Sequence, residues 1–157
     1  MENKIKYIND LHLPNDNNLC VKRITDTSKL PTKERDSDEG YDIYSDEDIT
    51  IPNGQTRKIS TGIISYVSSN GNHWLQVESR SGLSCKGLFV IGGIVDSSYR
   101  GEIGVIMANL SGEDYDIKQG NKIAQMVIRS HKSMPIKEVQ EVSVGERGTN
   151  GFGSSGV

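Results

Sequence analysis

The sequence predicts an all-β domain of the sandwich or barrel class, with few helices. Three observations carry that reading. Short runs rich in β-branched residues recur along the chain, turn signals punctuate them, and apolar alternation at period two is common. The length of 157 residues suits one domain with a core that needs no disulfide staples.

The elements follow in order. Residues 5–8, 19–24 and 49–51 are short apolar or alternating runs, and residues 57–67 form a longer one. Residues 74–79 alternate strictly, with Leu75 and Val77 opposite Trp74, Gln76 and Glu78. Residues 102–110 and 122–128 are the most apolar segments. Between them lie Pro52-Asn53-Gly54, Ser69-Asn70-Gly71, Ser111-Gly112 and Gln119-Gly120-Asn121, all turn-forming combinations. Only residues 81–86 and 136–144 have helical character. In the latter, Ile136, Val139 and Val142 recur every third residue, a period that decides neither way.

Charge and composition narrow the function. Lys and Arg number 18 against 21 Asp and Glu, a net charge of −3, which argues against an electrostatic nucleic-acid binder. No apolar run approaches the roughly 18 residues of a membrane span, and no signal-peptide core opens the chain. Cys20 and Cys85 form no pairing motif, as expected for a reducing cytoplasm. Zinc-ligand spacing, a nucleophile–base cluster and the Walker and Gly-x-Gly-x-x-Gly patterns are not readable.

Glycine placement is more informative than its content. None precedes Gly40, six fall within residues 82–104, and five within the last thirteen. Five islands around these glycines carry candidate chemistry. Arg80-Ser81-Gly82-Leu83 follows a strand and opens a possible short helix, where a hydroxyl and free amides can receive a phosphate oxygen; taken alone, an ordinary capped turn is the plainer reading. Gly92-Gly93-Ile94-Val95-Asp96 and the following Ser97-Ser98-Tyr99-Arg100-Gly101-Glu102 read as a hairpin. Its paired glycines would leave backbone groups open to a flat ligand, with Asp96 and Tyr99 bordering one pocket. A turn-forming aspartate beside a packed tyrosine is the plainer reading of that island.

Gln125 is a lone amide in an apolar strand and must find hydrogen bonds there, for structure or for ligand. Asp42, in Glu39-Gly40-Tyr41-Asp42-Ile43, is a carboxylate among apolar neighbours, or simply a solvated turn residue. The tail, residues 145–157, holds two apolar side chains and is expected to be mobile until bound. Its Arg147, Ser154 and Ser155 suit an oligophosphate and Phe152 suits stacking on a base.

In this order the islands resemble the five motifs of the homotrimeric dUTPases. They stand here as EGYDI (39–43), RSGL (80–83), GGIVDSSYRGE (92–102), GNKIAQ (120–125) and RGTNGFGSSG (147–156), and the match spans residues 39–156, about three quarters of the chain. The resemblance implies a jelly-roll-like β domain over residues 1–144, a glycine-rich arm over 145–157 that closes on the site, and a trimer with sites at subunit interfaces. It implies hydrolysis of dUTP to dUMP and pyrophosphate with Mg²⁺ on the triphosphate. Such an enzyme limits uracil incorporation into DNA and supplies dUMP for dTMP synthesis.

By the same analogy Asp96 activates the water, Tyr99 packs beneath the deoxyribose, and Gly92, Gly93 and Ile94 read the uracil edge. Arg80, Ser81, Gly82 and Gln125 would cradle phosphates, and Asp42 would order the Mg²⁺ waters. Arg147, Gly153, Ser154 and Ser155 would grip the γ-phosphate, with Phe152 as lid. The expected partners are dUTP and two further copies of the chain, without nucleic acid or membrane; no regulatory partner is readable. Phosphoryl transfer asks mainly for positioning and charge neutralisation, which these residue types supply without a covalent nucleophile. Rejection of thymine must be steric, because attraction alone discriminates a methyl group by only ~1–3 kcal/mol.

The chain departs from the family pattern at Glu39, Ser79, Ser97-Ser98, Asn121, Lys122 and Ser155. Lys122 for arginine removes a bidentate fork. Two competing readings remain. A dCTP deaminase shares the fold but needs a glutamate at the base pocket, and a nucleotide-sensing trimer would not need a general base.

Overall fold

A computed structural model describes residues 18–68, 72–146 and 148. Eleven strands and one four-residue helix make up the described structure. The sheet that matters most for the site is antiparallel and four-stranded, in the order β2-β11-β6-β8. Its strands are β2 (Gly40–Tyr44), β11 (Lys122–Ser130), β6 (His73–Glu78) and β8 (Ile94–Val95). A second sheet runs β4-β9-β7, from β4 (Thr56–Ser60), β9 (Gly104–Asn109) and β7 (Leu88–Val90). Two antiparallel pairs complete the domain: β1 (Asn18–Arg23) with β5 (Ile63–Ser68), and β3 (Ile49–Ile51) with β10 (Tyr115–Ile117).

The core is one cluster to which nearly every strand contributes. Leu75 and Val77 of β6 are buried as their alternation demands, and Val105 and Met107 of β9 do the same in the facing sheet. Asn109, wholly buried, is fully satisfied: its amide donates to Ile51 O and Glu113 O, both at 2.8 Å, and accepts from Ser111.

Several expectations need correction. The run 57–67 is two strands, because the chain turns at Thr61-Gly62. The Glu102 carboxylate caps that corner, accepting from Ser60 Oγ, Thr61 N and Gly62 N. No helix forms over residues 136–144. All of residues 129–146 are exposed, Ile136 and Val144 fully so, and an amphipathic helix has no face of this chain to pack on. The helix at 81–86 is shorter than expected, α1 (Ser81–Ser84). The strand at 5–8, the Ser69-Asn70-Gly71 turn, Arg147 and residues 149–157 lie outside the described residues.

The hairpin expected across 92–102 does not form either. Ile91 N still donates to Ile106 O of β9 at 2.9 Å, whereas Gly93 O accepts from Val77 N at 2.8 Å in the other sheet. The two glycines therefore carry the chain from one sheet to the other. Gly93 has φ of 112°, and a Cβ there would run into Val77 O, so the crossing needs glycine. The chain returns when Ile103 N donates to Ile63 O at 2.8 Å. Residues 96–102 are thus held outside both sheets.

Candidate active site

Three sequence islands converge on one open cleft of about 520 Å³, lined among others by Asp42, Arg80, Ser81, Gly82, Lys122 and Gln125. Strand register brings them together. Gln125 of β11 stands opposite Asp42 of β2 on one side and Glu78 of β6 on the other. Residues three apart on a regular strand face opposite ways. A register shift between Lys122 and Ala124 inserts one extra residue, so Ile123 and Ala124 are both buried while Lys122 and Gln125 both line the cleft.

Asp42 is the electrostatic centre. Its Oδ1 lies 3.0 Å from Arg80 Nε and its Oδ2 2.8 Å from Lys122 Nζ. Lys122 reaches Glu34 as well, at 3.5 Å, and its carbonyl accepts from Arg80 Nη1 at 3.3 Å. Donation to Asp42 is the main reason the Lys122 ammonium titrates above its ordinary range, so it is a cation at neutral pH. Gln125 donates Nε2 to Ser79 O at 3.1 Å, which orients the amide. Its Oε1 lies so close to Gly40 that a side chain there would have to displace the amide. Ser81 and Gly82 begin α1, whose start carries no side-chain cap.

Asp96, Ile94 and Tyr99 border a different cleft, about 360 Å³, together with Lys58, Glu102 and Ile106. The two clefts share no lining residue. Asp96 is exposed, and a turn hydrogen bond from Tyr99 N to Asp96 O, 3.0 Å, sets it three residues from the ring. Tyr99 Oη donates to Glu102 O at 3.1 Å, with the phenol lying over Gly101. Of the backbone groups expected to meet a base edge, the Gly93 carbonyl is already engaged by Val77 N. Arg147, Phe152, Gly153, Ser154 and Ser155 lie outside the described residues.

Sequence reasoning did not find Glu34, whose side chain enters the cleft from the segment before β2. A bridge between Thr32 and Asp42 lays that segment along the β2 edge, through hydrogen bonds of 2.7 and 3.1 Å. No local motif marks it; the only signal is the charged run Lys33-Glu34-Arg35-Asp36 beside the glycine at 40.

The family model for dUTPase matches residues 26–156. This chain belongs to the dUTPase family. Its activity class is that of a dUTP diphosphatase, and its fold is the family's jelly roll. It is 43% identical over 142 residues to the deoxyuridine 5'-triphosphate nucleotidohydrolase of Clostridium kluyveri, covering 88% of this chain and 98% of that one. The enzyme of the same name from variola virus is 38% identical over 133 residues, covering 85% and 89%. Among solved structures, the dUTPase of Staphylococcus bacteriophage 80alpha with dUpNHpp superposes with a TM-score of 0.82 at 30% identity, covering 90% of this chain and 99% of that one. A dUTPase from phage phi11 of S. aureus, described for its coordination of a structural Mg(II) ion, gives 0.73 at 26% identity, covering 80% and 99%.

The cleft's donor set bears on a metal. Among the described residues no cluster of three or more His, Cys, Asp or Glu is placed to hold one. A dUTPase cleft with one central carboxylate and two cations fits a magnesium carried mainly by substrate phosphates, which is how that ion is commonly bound. No helix among the described residues is long and apolar enough to cross a membrane.

Proposed function

We propose that this chain converts dUTP and water to dUMP and pyrophosphate, with Asp96 as general base toward the α-phosphorus. The observation that carries the reading is the convergence of Asp42, Arg80, Lys122 and Gln125 on one cleft. Arg80, the Ser81 and Gly82 start of α1, and Gln125 bind the triphosphate there, and Lys122 adds a second cation to that cradle. Bound with the triphosphate, Mg²⁺ would supply charge neutralisation at the phosphoryl oxygens, with Asp42 holding its waters. Both Asp42 oxygens are engaged by cations in the free chain, so Arg80 and Lys122 exchange the carboxylate for phosphate as substrate enters.

Tyr99 carries the deoxyribose and leaves no room for a 2′-hydroxyl, while Gly92 and Ile94 offer backbone groups to uracil beside the engaged Gly93. Residues 145–157 act as an arm distinct from the β domain: Arg147, Gly153, Ser154 and Ser155 hold the γ-phosphate and Phe152 covers the base. The decisive assay is pyrophosphate release from dUTP compared with dTTP, dCTP and UTP, with ammonia release from dCTP measured alongside. Release confined to dUTP is the expected result. Ammonia from dCTP establishes the deaminase reading instead.

The base and the phosphate cradle border separate clefts of one chain, which supports a site completed across a subunit boundary. Exposed apolar side chains support the same idea. Ile94, Ile106 and Leu110 are 73%, 41% and 66% exposed, and Met134, Ile136, Val139, Val142 and Val144 are exposed beyond the last strand. A closed threefold ring joins copies through such heterologous faces. Sedimentation is expected to give one species near three times 17.3 kDa. A monomer that hydrolyses dUTP at the full rate contradicts the shared site.

A further inference from the structure

Residues 96–102 leave both sheets, yet the candidate base and the sugar platform depend on their placement. One brace reaches this excursion from strand β5. The Arg100 guanidinium lies 3.9 Å from the centroid of the Tyr66 ring. Its Nη1 donates to Ser97 O at 2.8 Å and to Tyr99 O at 2.9 Å. Those two carbonyls belong to the turn that Tyr99 N closes on Asp96 O. Tyr66 is anchored in the β1–β5 ladder opposite Cys20 and lies outside all five motif islands.

We propose that Tyr66, acting through Arg100, is a positioning residue that aims Asp96 and Tyr99 at the substrate. The planar guanidinium lies over the ring with its central carbon while a separate atom at its edge, Nη1, donates to both carbonyls; an ammonium has one nitrogen for all three contacts and cannot keep this spacing. The ring fixes the guanidinium, the guanidinium fixes the Ser97 and Tyr99 carbonyls, and the turn between them follows. A misplacement of about 1 Å at a reacting group can cost on the order of 10²-fold in rate, so a brace remote from the chemistry controls turnover. The inference rests on the assignment of Asp96 and Tyr99 to base and sugar.

The test measures kcat, KM and the dUTP/UTP preference well below each variant's melting temperature. Tyr66→Leu removes the ring face and keeps apolar bulk in the strand; Tyr66→Phe keeps the face; Arg100→Lys keeps charge and loses the planar guanidinium. Tyr66→Leu and Arg100→Lys are expected to lower kcat about tenfold or more. KM for dUTP should move less, and the dUTP/UTP preference should narrow, as is expected of Tyr99→Ala, which removes the proposed sugar platform itself. Tyr66→Phe is expected to retain wild-type kcat and preference. Val67→Ala, a core truncation one residue away, should lower the melting temperature without changing the preference.

Wild-type kcat and preference in Tyr66→Leu overturn the proposal, as does an equal defect in Tyr66→Phe. Should Tyr66→Leu fail to fold, Arg100→Lys decides by the same readouts. Wild-type kinetics in Asp96→Asn and Tyr99→Ala instead remove the assignment beneath it, and are recognised by those two variants alone.

Discussion

Asp96→Asn is expected to lower dUTP hydrolysis by ~10²–10⁴-fold, the usual contribution of a general base, while leaving binding in place. The local structure makes this a clean substitution. The turn is closed by the Asp96 backbone carbonyl, to which Tyr99 N donates, so an amide side chain leaves it intact. Asp96 is exposed, and Asn matches its shape. What is lost is the capacity to accept a proton as water attacks phosphorus. Single-turnover rates, paired with titration of a non-hydrolysable dUTP analogue, separate the two effects. Retention of more than a tenth of the wild-type rate removes Asp96 from the role of base.

The legible part of the fold is where side-chain period and burial agree. Residues 74–79 alternate, and the strand found there, His73–Glu78, buries Leu75 and Val77 as the pattern requires. Residues 49–51 match their strand residue for residue. Strands β7 and β10 are as short as the strand at 49–51, too short to show a period, and neither is read as a strand. Strand β2 escaped for another reason. Its five residues follow an acidic, glycine-bearing run that reads as a turn, and its pairing with β11 lies some eighty residues away. The 92–102 island misled in the opposite sense: paired glycines signal a tight turn locally, but here they serve a crossing between sheets whose edges the sequence does not reveal.

At the candidate site, residue types were readable and their grouping was not. Asp42, Arg80, Ser81, Gly82 and Gln125 line one cleft. Lys122 entered the reading only as a lost arginine fork, yet its ammonium holds one oxygen of Asp42 while Arg80 holds the other. That pairing depends on the irregularity in β11, which turns Lys122 to the same side as Gln125. A bulge of one residue leaves no mark in composition. The placement of Asp96 and Tyr99 in one cleft and of Asp42, Arg80 and Gln125 in another is equally invisible, since it belongs to tertiary geometry.

A chain ending at Gly145 is expected to keep its assembly and melting temperature, bind dUTP somewhat more weakly, and lose most of its turnover. Residues 145–157 carry Phe152 and Val157 as their only apolar side chains, too little area to stabilise an ordered segment by themselves. Ordering a segment costs roughly 1–2 kcal/mol per residue in backbone entropy, and contacts of Arg147 with phosphate and Phe152 with uracil must offset it. Gly145, Glu146 and Gly148 are exposed, as are all residues from 129 onward up to 146, so none of the arm's described residues belongs to the core. Closure over the triphosphate expels water and strengthens every charge interaction around it, an effect felt in kcat before it is felt in folding. Phe152→Ala should show a milder form of the same loss. Protection of the arm from protease by a non-hydrolysable dUTP analogue with Mg²⁺ reads closure independently of rate. Full-length turnover by the truncated chain, with no such protection in the intact one, would leave the five terminal glycines without a part in catalysis.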